Sequence, residues 1–150
     1  MTTVQDQIVR DIEINAPITK VWQAVTQPEH LGTWFGDSGA TVDFRVGGEM
    51  KLVWKEHGEA LCLIEEIDEP HRFAWRWSIG SDDRPGIGNS TLIVFTLEEA
   101  GSVTKLRVVE SGFTKLSIPA EDQAKHQADN TGGWHEEIAE LKTYVESLAA

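Results

Sequence analysis

Three polar side chains stand where they could do acid–base or orienting chemistry. Glu110 ends the alternation Leu106, Val108, Glu110, so its carboxylate points the same way as two apolar neighbours, toward a core. A carboxylate taken out of water needs a partner or takes up a proton, and in a cavity one such group can act as acid or base. Arg10 shares the parity of Ile12 and Ile14 and could be that partner. His126 lies on the segment ahead of the last amphipathic stretch and could reach a cavity mouth as a second acid–base group. The competing reading for Glu110 and Arg10 is a place near a strand end, in water. His30, His57, His71 and His135 fall beside turns or helix starts and read as surface residues.

Six tryptophans are the other resource: Trp22, Trp34, Trp54, Trp75, Trp77 and Trp134. Indoles line cores and ligand pockets alike. Trp54, Trp75 and Trp77 take inward strand positions, and one helix cannot fill the space around three indoles without leaving gaps. They are expected to wall a cavity, joined by Phe44 from a neighbouring strand and Trp134 from a helix. Trp34, Phe35 and Phe113 are expected near its mouth, and Trp22 in the packed core. A pocket of this kind would take a largely apolar or aromatic small molecule.

Several familiar chemistries lack their residues. The sequence has no G-x-S-x-G elbow, no H-E-x-x-H, no C-x-x-C and no P-loop. His135-Glu136-Glu137 lacks the second histidine of a zinc helix, and Gly86-Ile87-Gly88 does not extend to a dinucleotide fingerprint. Neither a metal nor a cofactor is therefore expected. Cys62 lies in an apolar run and reads as a buried, inert thiol. As the single cysteine it cannot form an internal disulfide, which suits a reducing cytoplasm.

These residues need elements to position them. Ile8 to Ile14 alternates as a strand. After Ala16-Pro17, the spacing of Val21, Trp22 and Val25 predicts a short helix, and Pro28 starts a second through Leu31 to Phe35. Val42, Phe44 and Val46 alternate, Gly47-Gly48 marks a two-residue hairpin turn, and Met50, Leu52 and Trp54 return. His57-Gly58 is the next turn, followed by strands over Ala60 to Ile67 and Phe73 to Trp77. A long loop spans 80–89, and a last strand pair covers Leu92 to Leu97 and Thr104 to Ser111. Trp134, Ile138, Leu141, Val145 and Leu148 then form one apolar helical stripe. The segment from Ala120 to Asp129 also reads helical, either as a separate helix or as the first part of a kinked one, because Gly132-Gly133 interrupts it. The expectation is a single α+β domain over residues 1–150. In it a curved antiparallel sheet of about six to seven strands wraps a long carboxy-terminal helix, with two short helices after the first strand.

The formal charge of −12, from 25 acidic and 13 basic residues, repels phosphate backbones and anionic membrane surfaces. No nucleic acid and no membrane insertion are expected. No run is long enough to cross a bilayer, and the amino terminus carries no signal-peptide pattern. Oligomeric state is not legible.

The order of landmarks resembles the SRPBCC superfamily (START-like, Bet v 1-like) of helix-grip domains, and within it the branch named after the activator of heat-shock-protein-90 ATPase homologue. The matching segments are Ala16-Pro17 with Val21-Trp22 and Ala24-Val25-Thr26, then Pro28-Glu29-His30-Leu31 with Trp34-Phe35, and Val46-Gly47-Gly48. Glu65-Glu66-Ile67 with Pro70 and Phe73, Ser111-Gly112-Phe113, and Gly133-Trp134 with Leu141 complete them. The superfamily hosts many activities, so fold alone assigns none. The resemblance implies three functions: binding of a small hydrophobic or lipid-like ligand, a cyclase, aromatase or hydrolase-like reaction in the cavity, or stimulation of the chaperone's ATPase. The last ranks third, since the eukaryotic co-chaperone has an additional amino-terminal domain and this chain begins at the first strand.

Overall fold

A computed structural model describes residues 3–56, 58–79 and 84–149. The expected turn residue His57 and the start of the long loop, 80–83, lie outside the described residues. Seven strands form one antiparallel sheet in the order β1-β7-β6-β5-β4-β3-β2. They are β1 (Gln7–Ile14), β2 (Ala40–Val42), β3 (Glu49–Trp54), β4 (Gly58–Asp68), β5 (Arg72–Ser78), β6 (Ser90–Ala100) and β7 (Val103–Ser111). Strands β2 to β7 form a meander, and β1 closes on β7 with Ile8 opposite Glu110. This is the expected helix-grip architecture.

Two short helices follow β1. In α1 (Ile18–Thr26) the buried Ile18, Val21, Trp22 and Val25 recur at helical spacing, and α2 (Pro28–Trp34) starts on its proline. Indole hydrogen bonds fasten both helices. Trp22 Nε1 donates to Glu69 Oε1 over 2.9 Å, and Trp34 Nε1 donates to the Ala24 carbonyl over 2.7 Å. His30, expected at the surface, is half-buried with its Nδ1 2.6 Å from the Tyr144 hydroxyl, which ties α2 to the long helix.

That helix, α3, runs unbroken from Ala120 to Ala149, which settles the question of a separate first segment. Gly132 and Gly133 together weaken it by about 2 kcal/mol relative to alanine. Anchors on both sides hold it through: Gln123 Nε2 donates to the Leu116 carbonyl over 2.8 Å, and Trp134, Ile138, Leu141 and Val145 are buried against the sheet. Those four side chains contribute roughly 6–12 kcal/mol as an upper bound, at about 1.5–3 each. The stripe is one residue shorter than expected, because Leu148 is 53% exposed.

The strand expected through Val46 stops at Val42. From Asp43 the chain turns on its own backbone bonds, Arg45 N to Asp43 O at 2.8 Å and Gly48 N to Arg45 O at 2.9 Å. It passes so close to itself that a Cβ at Gly48 would lie 2.0 Å from the Asp43 carbonyl oxygen. The expected two-residue hairpin is thus a wider loop. Val46 turns to solvent, and Phe44, 42% exposed, covers only the edge of the core.

Candidate functional site

The inward positions of three neighbouring strands meet the middle of α3. Trp77 on β5 stands opposite Thr91 on β6, and Glu110 on β7 stands opposite Ile93, one inward step along. Glu110 is fully buried. Its Oε2 accepts from Trp77 Nε1 at 2.9 Å, Thr91 Oγ1 at 2.5 Å and Asn130 Nδ2 at 3.1 Å. Its Oε1 accepts from Trp134 Nε1 at 2.8 Å and Asn130 Nδ2 at 3.1 Å. Four donors, with Asn130 Nδ2 shared between the two oxygens, fill the roughly four acceptor sites of a carboxylate. Each donor is neutral, so the group is solvated by fixed dipoles rather than by a cation.

The inward placement of Glu110 agrees with its parity, but Arg10 is not its partner. Arg10 is half-buried opposite Val108, and its guanidinium donates to the Val9 carbonyl over 3.0 Å. Indole, amide and hydroxyl donors from β5, β6 and α3 occupy both Glu110 oxygens. His126 sits on α3 itself, one turn before Asn130; it has no contact with Glu110 among the described residues and does not line the cleft described next.

Above the carboxylate, between the end of α2, the sheet and α3, lies a cleft of about 140 Å³ lined by Phe35, Trp54, Trp77, Asn130, Gly133, Trp134 and Glu137. Phe35 is its keystone. Its ring stacks on Trp134 at 5.4 Å and on Trp77 at 5.8 Å, and meets Trp54 edge-on at 5.4 Å. Trp54 Nε1 donates to the Phe35 carbonyl over 2.9 Å, so the backbone after α2 is pinned to β3. Gly133 keeps one wall low, since a Cβ there would meet nothing within 4 Å.

The aromatic residues expected around a cavity divide accordingly. Phe35, Trp54, Trp77 and Trp134 come together at the cleft, and Glu110 lies beneath it. Trp75 does not line it. Its ring is fully buried between Trp77, at 5.2 Å, and Phe95, at 6.2 Å, and its Nε1 has no hydrogen-bond partner. Trp34 and Phe113 do not line the cleft: Trp34 is buried against α1 with its ring 5.2 Å from that of Phe35, and Phe113 is buried at the 3-10 turn Phe113–Lys115. Phe44 packs on Trp22 and Phe73 instead, with ring centroids 6.5 and 5.8 Å away.

Three site residues were not singled out from the sequence: Thr91, Asn130 and Glu137. Stepping from Trp134 back by four and on by three passes through Asn130 and Glu137, so helical spacing held the signal for those two. Glu137 is half-buried beside Asp37, Glu136 and Glu140. Desolvation, reinforced by these three carboxylates, pushes its carboxyl up to about 8. Its Oε2 is buried without a hydrogen-bond partner. Burial alone pushes the Cys62 thiol far above its usual range, which suits an inert residue. Among the described residues no cluster of three or more His, Cys, Asp or Glu could hold a metal ion, and no helix is long and apolar enough to cross a membrane.

A sheet curved round one long helix, with a small aromatic cleft between them, defines a helix-grip domain of the SRPBCC superfamily. The chain belongs to the family of activator of Hsp90 ATPase homolog 1-like proteins, whose pattern matches residues 15–146. Among solved structures it is similar to a protein of Mesorhizobium loti, with 22% identity, a TM-score of 0.78, and coverage of 94% of this chain and 97% of that one. It is also similar to the Aha1 dimer of Colwellia psychrerythraea, with 20% identity, a TM-score of 0.76, and coverage of 95% and 97%. A third similar structure is a protein of the dynemicin biosynthetic locus, with 23% identity and a TM-score of 0.74, where the match covers 97% of this chain and 49% of that one. Among curated proteins none matches.

Proposed function

We propose that this protein binds a small, largely aromatic molecule in the cleft beneath Phe35. The observation that carries the reading is the cleft itself, about 140 Å³ walled by four aromatic side chains. An apolar cavity of about 150 Å³ accommodates benzene, whereas drug-sized ligands fill about 300–1,000 Å³. The occupant is therefore a single ring or a compact side group, not a long lipid. Glu110 serves the site as its foundation. It holds Trp77, Trp134 and Asn130 in fixed orientations, so the aromatic walls are formed before a ligand arrives.

Gly133 supplies the test. Two glycines in mid-helix weaken α3, and neither is needed to avoid a clash. Gly133→Leu would fill the cleft while favouring the helix. Indole N–H resonances of Trp54, Trp77 and Trp134 are followed as toluene or phenol is added. The reading expects shifts in the wild type that are lost in G133L. It fails if no single-ring compound moves these resonances, or if G133L responds like the wild type.

A cavity-enzyme reading has one observation of its own. Glu137 lines the cleft and, with its carboxyl near 8, could hold or release a proton close to neutral pH. Glu110, with both oxygens occupied, is ill suited to that role. The chaperone reading rests on the family's name, and stimulation of the Hsp90 ATPase by the purified chain is its test.

A further inference from the structure

We propose that the cleft selects small organic cations: a protonated amine or quaternary ammonium on a ring or compact apolar body, its charge lodged between the aromatic faces and Glu137. The inference rests on the cleft-binding reading above and adds the ligand's charge.

The lining residues carry the argument. Phe35, Trp54, Trp77 and Trp134 line the space, and aromatic rings attract cations through their negative quadrupoles, tryptophan most strongly. The single ionisable side chain lining it is acidic. Glu137 presents a carboxyl group whose Oε2 is buried with no hydrogen-bond partner. Buried polar atoms normally have partners, and an ammonium N–H, or the positive edge of a quaternary group, is the partner this place lacks. The surrounding charge has the same sign. Asp37 approaches from the segment after α2, Glu136 and Glu140 flank on α3, and Glu110 lies below on β7. Lys55, whose backbone N–H donates to Asp37 Oδ1 over 2.7 Å, carries an exposed side chain. Neither an anion nor a polar uncharged group would gain from these neighbours what a cation gains.

Proton linkage gives the proposal a second handle. A cation prefers the ionised carboxylate of Glu137, whereas the empty site keeps its proton up to about 8. Binding must then release a proton, so affinity for a permanently charged ligand rises with pH up to that value and levels off above it.

The test compares three ligands on one ring scaffold: benzylamine, benzyl alcohol and benzoate. Each is titrated into the wild-type chain and Glu137→Gln, following the Trp54, Trp77 and Trp134 indole resonances at about pH 6 and about pH 8.5. The expected result is that benzylamine binds at least about tenfold more tightly than benzyl alcohol at the higher pH, and benzoate most weakly. The preference shrinks at the lower pH. E137Q removes it. Equal or tighter binding of benzyl alcohol overturns the cation assignment and leaves the cleft reading standing, as does an undiminished preference in E137Q. If none of the three ligands moves the indole resonances, the cleft reading falls and the cation assignment with it.

Discussion

Glu110→Gln keeps the shape of the buried carboxylate and replaces one acceptor oxygen with an NH₂ donor. The two amide orientations have different consequences. With the NH₂ at the Oε2 position, Trp77 Nε1–H faces another donor and keeps only Thr91 Oγ1, at 3.1 Å; with the NH₂ at the Oε1 position, Trp134 Nε1–H loses its acceptor outright. Thr91 can rotate its hydroxyl and Asn130 can flip its amide, but an indole N–H can do neither. One indole is therefore left with a weaker bond or with none in either case. A hydrogen bond to a charged group contributes about 1.5–3 kcal/mol. Relief from burying a charge works in the opposite direction, but here four donor side chains already replace its water. The expected net loss is about 1.5–3 kcal/mol in urea unfolding followed by tryptophan fluorescence. Glu110→Leu strands Thr91, Asn130 and Trp134, at about 1–3 kcal/mol each, leaves Trp77 with Thr91 alone, and should cost about 4 kcal/mol or more. That is a large part of the roughly 5–15 kcal/mol stability of an ordinary domain. If E110Q were as stable as the wild type, or E110L more stable than E110Q, the fixed-dipole account of this carboxylate would be wrong.

Other consequences are open to measurement. Gly48→Ala places a methyl 2.0 Å from the Asp43 carbonyl oxygen and must open the loop before β3; a loss of about 2 kcal/mol or more is expected in thermal unfolding, and an unchanged Tm would contradict the close approach. Glu137 has a higher proton affinity folded, near 8, than unfolded, near 4.5. Its contribution is fully present below the unfolded value and is lost as pH rises through the folded one. Glu137→Gln should therefore match the wild type near pH 4.5 and gain Tm over it progressively toward about pH 8; a pH-independent difference would refute the shift. Cys62 is buried with a raised thiol, so thiol reagents should label it only as fast as the protein unfolds. Rapid labelling of the native chain would show that β4 opens locally.

Much of the fold was legible because its signals are local. Alternation along β1, β5 and β7 marked the inner face, turn residues separated the strands, and the spacing from Trp134 to Val145 announced the long helix. Parity alone put Glu110 inside. It failed where backbone bonding overrode the pattern, as at Phe44, which keeps the alternation of Val42 but belongs to a loop folded on Asp43 and Gly48. The interruption at Gly132-Gly133 was ambiguous for a related reason. Propensity opposes a helix there, and only the anchors on either side decide that α3 continues.

The amino-acid sequence by itself thus determined which faces are buried, that the sheet is an antiparallel meander, and that a long helix must cover it. It could not choose the partners of Glu110. Those lie between 19 and 33 residues away along the chain, and a polar residue such as Asn130 looks the same whether it meets water or a buried carboxylate. It also could not separate Trp75 from Trp77. Both hold inward positions on one strand, and only the line along which α3 and Phe35 cross the sheet makes one a core residue and the other a wall. The cleft belongs wholly to the tertiary structure. Its volume is a small remainder between large, closely packed side-chain volumes, set by every neighbour at once and by no single residue.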